Sequence, residues 1–203
     1  MIHGYVEIPL LDLTTELGDE AANKIINDFS CPMNKDVEFF LKSRAIEFAK
    51  QGITQTHLVF ASYKGETRLI GYFSLTSKVM SVKDTYLSNS IRRRIAKFGT
   101  RDLSNKGYVM TAPLIAQLGK NYTDGLNKQL TGNELLKMAL DKVAMIQRII
   151  GGKIVYLECE DIHQLKDFYS RNGFVEFGQR EKDSEDADRI KGQYLLQLLK
   201  VIK

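Results

Sequence analysis

The chain has 203 residues, 43% hydrophobic and 27% charged. These proportions describe a folded globular chain and exclude an intrinsically disordered one. Its net charge of +4 is unevenly spread: Lys83 to Lys106 holds seven cations against two anions, +5 in all, and the rest of the chain sums to −1. No apolar run is long enough to cross a bilayer, and Met1 to Leu13 lacks a basic leader followed by a long apolar stretch. A cytoplasmic protein with no membrane association is therefore expected, with Cys31 and Cys159 as reduced thiols.

Residues Glu20 to Phe29 carry Ala21, Ala22, Ile25, Ile26 and Phe29 at helical spacing. Cys31-Pro32-Met33-Asn34 ends that pattern. Asn34 reads as the N-cap of a second helix that buries Val37, Phe40, Leu41, Ala45 and Phe48 and closes at Gly52. The period then changes to two, and Thr56–Tyr63 with Leu69–Val79 predicts a β-hairpin around Lys64-Gly65-Glu66. Gly71 in its second strand permits a bulge or a close backbone approach. Tyr86 to Phe98 reads as a basic helix with a thin apolar stripe of Leu87, Ile91, Ile95 and Phe98.

Tyr108 to Leu118 returns to a strand pattern, distorted by Pro113, which removes a ladder donor. Asn121 to Leu130 is polar and turn-prone. Asn133 to Ile150 is the clearest helix, with Leu136, Leu140, Val143 and Ile150 on one face. A strand at Lys153–Glu158, a helix at Ile162–Arg171 ending at Gly173, and strands at Phe174–Gly178 and Gln193–Ile202 complete the chain. An acidic loop of Glu181, Asp183, Glu185, Asp186 and Asp188 separates the last two strands. The order predicts a mixed α/β (α+β) domain with a βαβαβ portion in its C-terminal half.

Several chemistries lack their residues. His3, His57 and His163 are scattered, no cluster has metal-ligand spacing, and neither a lysine-containing phosphate loop nor a dinucleotide fingerprint occurs. No metal is expected. A loop that opens directly into a helix, Lys128-Gln129-Leu130-Thr131-Gly132-Asn133, is by contrast a natural anion cradle. A distorted strand before it, Leu114 to Gly119, leaves backbone groups with which an amide-bearing ligand can pair as an added strand.

Thr111 to Gly119 followed by Thr131-Gly132-Asn133-Glu134, and Phe168-Tyr169-Ser170-Arg171-Asn172-Gly173-Phe174, resemble the GCN5-related N-acetyltransferase (GNAT) superfamily. Phe29-Ser30-Cys31-Pro32 leading into Asp36 to Leu41 looks like the start of its acetyltransferase-toxin subgroup. The resemblance runs from about residue 29 to the end. It implies one acyltransferase domain over residues 1–203 with a mostly antiparallel central sheet flanked by helices, interrupted by a basic helical insertion at residues 84–107. The superfamily loop has Gln or Arg, two residues, Gly, one residue, then Gly or Ala. Those sites fall on Asn127, Leu130 and Gly132, and only Gly132 fits.

By this resemblance the cosubstrate is acetyl-CoA, held by Leu118, Gly119, Lys120, Asn127, Lys128, Gln129, Leu130, Thr131, Gly132, Asn133 and Asn172, with a backbone N–H near Leu118 or Lys120 as oxyanion donor. Tyr169 is expected to protonate the departing thiolate, and Glu158 or Glu160 to act as general base. The expected activity is acetyl transfer to a primary amine in a direct ternary complex. The acceptor remains open between a protein, a small molecule and an aminoacyl-tRNA. Arg92, Arg93, Arg94 and Lys97 are the candidate tRNA contacts, and an antitoxin partner and a homodimer are further expectations. The alternative is a non-catalytic acyl-CoA- or RNA-binding protein on the same scaffold.

Overall fold

In a computed structural model that describes residues 4–182, 189–190 and 192–202, the strands are β1 (Val6–Pro9), β2 (Gln55–Tyr63), β3 (Glu66–Lys83), β4 (Thr100–Asp102), β5 (Gly107–Lys120), β6 (Ile154–Glu160), β7 (Val175–Glu181) and β8 (Tyr194–Val201). The helices are α1 (Leu10–Leu17), α2 (Asp19–Asn27), α3 (Lys35–Ser43), α4 (Ala45–Lys50), α5 (Asn89–Ile95), α6 (Gly132–Ile150) and α7 (His163–Arg171). The strands form one mixed, mostly antiparallel sheet in the order β1-β2-β3-β5-β6-β8-β7, with β4 paired to β5. Among the described residues no helix is long and apolar enough to cross a membrane. The acidic positions Asp183, Glu185, Asp186 and Asp188 lie outside the described residues.

Packing divides the chain into two compact units, Met1–Thr76 with Ala116–Ala139, and Ser77–Ile115 with Leu140–Lys203. In the first, Leu10, Leu13, Ala22, Ile26, Phe29, Phe40 and Leu41 of the helical segments pack with Leu58, Phe60, Leu69 and Tyr72 of the hairpin. Each fully buried side chain of this size contributes about 1.5–3 kcal/mol before entropy is counted. The Asn34 side chain accepts from the N–H groups of Asp36 and Val37 at 3.0 and 3.1 Å, the N-cap expected from the sequence. Such a cap contributes ~1 kcal/mol. The single helix expected from Asn34 to Gly52 is two, separated at Arg44, whose φ of −127° leaves the helical range. Arg44 N–H to Phe40 O and Phe48 N–H to Arg44 O carry the bonding across, so the apolar stripe survives the distortion.

The hairpin turns on Lys64 and Gly65, both at positive φ, the two-residue turn that matches the strand twist. Its register slips between Val59 and Phe60: Val59 faces Gly71, Phe60 faces Leu69, and Ile70 is the extra residue. The N-terminal elements β1 and α1 carried too little pattern to be expected. Tertiary pairing makes β1 a strand, because Val6 to Pro9 runs antiparallel to Phe60 to His57.

In the second unit β6 pairs antiparallel with β8 from Ile154↔Val201 to Glu160↔Leu195, and β8 pairs with β7. The parallel ladder between β5 and β6 registers two pairs only, Leu114↔Tyr156 and Ile115↔Leu157, directly after Pro113. The basic insertion is shorter in helix than its sequence pattern: a 3₁₀ turn at Asp84–Tyr86, then α5, capped by Ser88, whose hydroxyl accepts from Ile91 N–H. Residues Thr100–Asp102 were expected as part of no element. They form β4 because they return antiparallel along Val109 to Gly107. Asp84 fastens the base of the insertion, its N–H donating to Lys106 O at 3.0 Å and its carboxylate meeting Arg101 at 2.7 Å.

Candidate active site

The loop expected to hold the donor's phosphates, Lys128 to Asn133, and the strand end before it belong wholly to the first unit. Leu118, Gly119 and Lys120 end β5. A Cβ at Gly119 would lie 2.3 Å from Val37 Cγ1 and 3.3 Å from Phe29, so only glycine lets this strand pass under α3. Asn121, fully buried, ties the following turn to its surroundings. Its Oδ1 accepts from Ser30 N–H and Thr123 N–H, both at 3.0 Å, and its Nδ2 donates to Leu69 O at 2.8 Å. Lys120 Nζ donates to Asn127 O at 3.0 Å, fastening the loop from its other side.

Leu130 is the departure from the superfamily glycine, and its role is packing. It is buried in the core, and its Cδ2 would lie 2.9 Å from a Cβ on Gly71. The strand glycine therefore opens the space the loop leucine fills. Leu130 is not among the residues of positive φ, so a side chain there costs no backbone strain.

The helix that follows starts one residue earlier than its apolar pattern, at Gly132. Thr131 Oγ1 accepts from Glu134 N–H at 3.2 Å, and Glu134 Oε2 accepts from Thr131 N–H at 2.7 Å, the reciprocal pair of a capping box. Tyr5 donates to Glu134 Oε1 at 3.0 Å, with Gln129 O at 3.1 Å from the same hydroxyl. Desolvation, and then the Glu134 carboxylate, raises the Tyr5 pKa. An anion thus already occupies the start of α6, and it belongs to the protein. Lys128, Thr131 and Asn133 are exposed beside it. The pattern Thr131-x-x-Glu134 was legible in the sequence, whereas Tyr5, more than a hundred residues away, had no signal.

The second unit holds the acid–base candidates. Tyr169 is buried on α7, with Phe168 and Phe174 edge-on at centroid distances of 5.0 and 5.7 Å. Among the described residues its hydroxyl has no hydrogen-bond partner. Burial, and then Cys159 once it ionises at high pH, pushes its pKa up, so the phenol stays protonated. Burial, with Asp161 and Glu160 nearby, likewise pushes the Cys159 thiol up to about 12, which leaves it unreactive. Asn172 caps α7: its Nδ2 donates to Phe168 O at 2.8 Å and its carbonyl accepts from Lys200 at 2.6 Å.

Glu158 is bound on both oxygens, by Arg180 Nε at 2.8 Å and by Gln197 Nε2 at 2.8 Å. Glu160 is buried two residues further along β6. Strand alternation puts both carboxylates on the side of β6 opposite Cys159.

On the insertion, Arg92, Arg93, Arg94 and Lys97 are exposed, and among the described residues none of them pairs with a carboxylate. Arg92 donates to Asn89 Oδ1 at 2.8 Å. No group of three or more His, Cys, Asp or Glu side chains that could hold a metal occurs among the described residues.

No protein-family model matches the sequence, and no curated protein does so significantly. Solved structures do. The order of strands and helices, with its short parallel ladder and crossover helix α6, is shared with solved structures of KacT and the toxin AtaT. AtaT complexed with acetyl-methionyl-tRNAfMet superposes with a TM-score of 0.64 at 14% identity, over 95% of this chain and 94% of that one. A tyrosine-to-phenylalanine mutant of KacT gives 0.62 at 16% identity, over 95% and 93%. A tyrosine-to-phenylalanine mutant of the toxin AtaT, bound to the C-terminus of the antitoxin AtaR and acetyl-CoA, gives 0.56 at 12%, over 95% and 91%.

Proposed function

We propose that the protein transfers the acetyl group of acetyl-CoA to a primary amine, and that the amine is the α-amino group of an aminoacyl-tRNA. The observation that carries the chemistry is Tyr169, a buried residue whose raised pKa keeps its hydroxyl protonated and whose hydroxyl has no hydrogen-bond partner among the described residues. The neighbours that hold acetyl-CoA and an acetylated aminoacyl-tRNA support this donor and acceptor. On this chain the exposed cations of α5 support a phosphate-bearing acceptor, and an antitoxin partner follows by the same likeness.

In this reading the neutral amine nitrogen attacks the thioester carbonyl, collapse of the tetrahedral intermediate breaks the C–S bond and releases the coenzyme A thiolate, and the surplus proton on nitrogen passes to water. Tyr169 donates a hydrogen bond to sulfur as negative charge develops there. Its raised pKa makes it a donor that strengthens in the transition state rather than an acid that gives up its proton at rest. No dedicated base is required. An α-amino group has a pKa of about 7.7–8.0, so much of it is neutral near pH 7.5, whereas a lysine at ~10.4 would need help. Glu158, tied to Arg180 and Gln197, is assigned to holding β6, β7 and β8 together.

The helix start at Thr131 to Asn133 fits a pyrophosphate, since it already carries a carboxylate. Glu134 would yield that place to the donor. The same carboxylate favours a second reading, a scaffold whose donor loop is closed by its own side chain and which binds RNA without turnover.

Calorimetry with acetyl-CoA, followed by acetyl transfer from radiolabelled acetyl-CoA to aminoacyl-tRNA, separates the two. Donor binding with label on the aminoacyl group is expected. A wild-type protein that neither binds acetyl-CoA at millimolar concentration nor consumes thioester in the presence of aminoacyl-tRNA, a lysine peptide or a small amine is the second.

A further inference from the structure

The second unit carries a cleft of about 360 Å³ that the reaction as described does not use. Its walls include Lys83 and Tyr86, from the end of β3 and the base of the insertion, and Phe177, Gln179, Tyr194 and Gln197 from β7 and β8. Two features stand out physically. Tyr86 is 52% exposed and Tyr194 37% exposed, so two aromatic rings bordering one cleft are held at the surface rather than in the core. The wall bearing Tyr86 is also fixed: Leu87 N–H closes the 3₁₀ turn on Asp84 O, and Asp84 is itself held by Lys106 and Arg101.

The chemistry of the lining discriminates among amine-bearing acceptors. Tyrosine rings offer stacking surfaces, which every nucleobase can use, and Gln179 and Gln197 supply amide groups for base edges. Lys83 supplies a cation for phosphate, and Glu181 is the acidic member of the lining. The next cations along the chain are Arg92, Arg93, Arg94 and Lys97. An extended lysine side chain would use neither ring face nor Lys83. The volume suits a small ligand and is at the low end for binding pockets.

We propose that this cleft receives the unpaired 3′-terminal nucleotide of the acceptor RNA, stacked against Tyr86 and Tyr194, with the phosphate behind it met by Lys83. The inserted segment then has two roles. Its exposed helix attracts the RNA backbone without regard to sequence, and its 3₁₀ turn reads whether the end is single-stranded. Gln197 lines the cleft and donates to Glu158, which couples the pocket to the rigid ion pair with Arg180.

This rests on the acceptor being carried by RNA, but the test reads binding without turnover. A fluorescently labelled RNA hairpin with a three-nucleotide 3′ overhang and the same hairpin with a blunt end are titrated by anisotropy against wild type, Tyr86→Ala, Tyr194→Ala and Tyr86→Phe. Wild type is expected to prefer the overhang. Each alanine variant should lose about tenfold in overhang affinity, while Tyr86→Phe, which keeps the ring, stays within about twofold. The salt dependence should be the same for all four, because no phosphate contact is removed. Acetyl-CoA affinity and thermal melting at wild-type values show that each variant is folded. Alanine variants that bind the overhang as wild type does, or a wild type that binds blunt and overhanging ends alike, overturn the proposal. If the preference and its loss appear but no acetyl transfer occurs, the cleft assignment stands and the transfer reading fails. If acetyl is transferred but the preference is absent, the reverse holds.

Discussion

The loop before α6 and the Tyr169 region treat their polar groups in opposite ways. Around the loop, Asn121, Lys120, Thr131, Glu134 and Tyr5 are joined by hydrogen bonds within the first unit, and an internal carboxylate serves the helix start. Around Tyr169, the rings of Phe168 and Phe174 pack edge-on, and no described residue hydrogen-bonds the hydroxyl. The loop is built to hold its shape, and the tyrosine is left open for something else.

The largest test of that contrast is Tyr169→Phe. Removing one hydroxyl that meets no protein group should leave melting within a few degrees of wild type and acetyl-CoA affinity unchanged. Turnover should fall by about 10²-fold or more, the range for losing a positioned proton or hydrogen-bond donor. Unchanged turnover in single-turnover kinetics would falsify the role given to the hydroxyl.

The loop side should respond in stability. Gly119→Ala places a methyl group against Val37 Cγ1 and is expected to cost about 1–3 kcal/mol, lowering the melting temperature by several degrees in calorimetry. A variant as stable as wild type would mean that the close packing of β5 under α3 is not enforced.

A smaller and opposite effect is expected at Glu134→Gln. Glutamine preserves the capping box but removes the charge. Acetyl-CoA should bind about two- to fivefold more tightly at low salt, corresponding to ~0.3–1 kcal/mol for one charge at a helix start. Weaker binding by Glu134→Gln would show that the donor's phosphates do not compete for this place.

The pH dependence offers the smallest change in the ordinary range and a large one at its alkaline edge. Transfer should rise through about pH 7.7–8.0 as an α-amine loses its proton and then level off, without a fall from Tyr169, whose pKa is raised. Above pH ~10 the unfolded state ionises its tyrosines, while the folded state keeps Tyr72, Tyr156 and Tyr169 protonated. Burial pushes Tyr156 up to about 12 and raises Tyr72 well above its ordinary value. The folded state then binds more protons than the unfolded one, so stability is full below pH ~10 and is lost as pH rises past it. Ultraviolet absorbance of phenolate should increase in step with unfolding. A titration of these tyrosines in the folded protein near pH 10 would contradict their burial.

Periodicity alone determined most of the elements, because Asn34, the Lys64-Gly65 turn and the apolar faces of α2, α3 and α6 act locally, within one or two turns of chain. The loop before α6 was visible as a helix start, whereas Tyr169 became a candidate only through the resemblance carried by Phe168 to Phe174. Four things were settled only by tertiary structure. Strand β1 exists because β2 pairs with it, Leu130 is a core residue because Gly71 leaves room beneath it, and Glu134 serves the loop together with a tyrosine from the other end of the chain. Glu158 reads in sequence as a strand-end carboxylate free to act as a base, and only the approach of Arg180 and Gln197 from β7 and β8 gives it a structural partner on each oxygen. Composition and spacing carry information about what a residue can do. Which groups meet it across the sheet is a property of long-range packing, and here that packing gives the Glu158 carboxylate two protein partners while no described residue hydrogen-bonds the Tyr169 phenol.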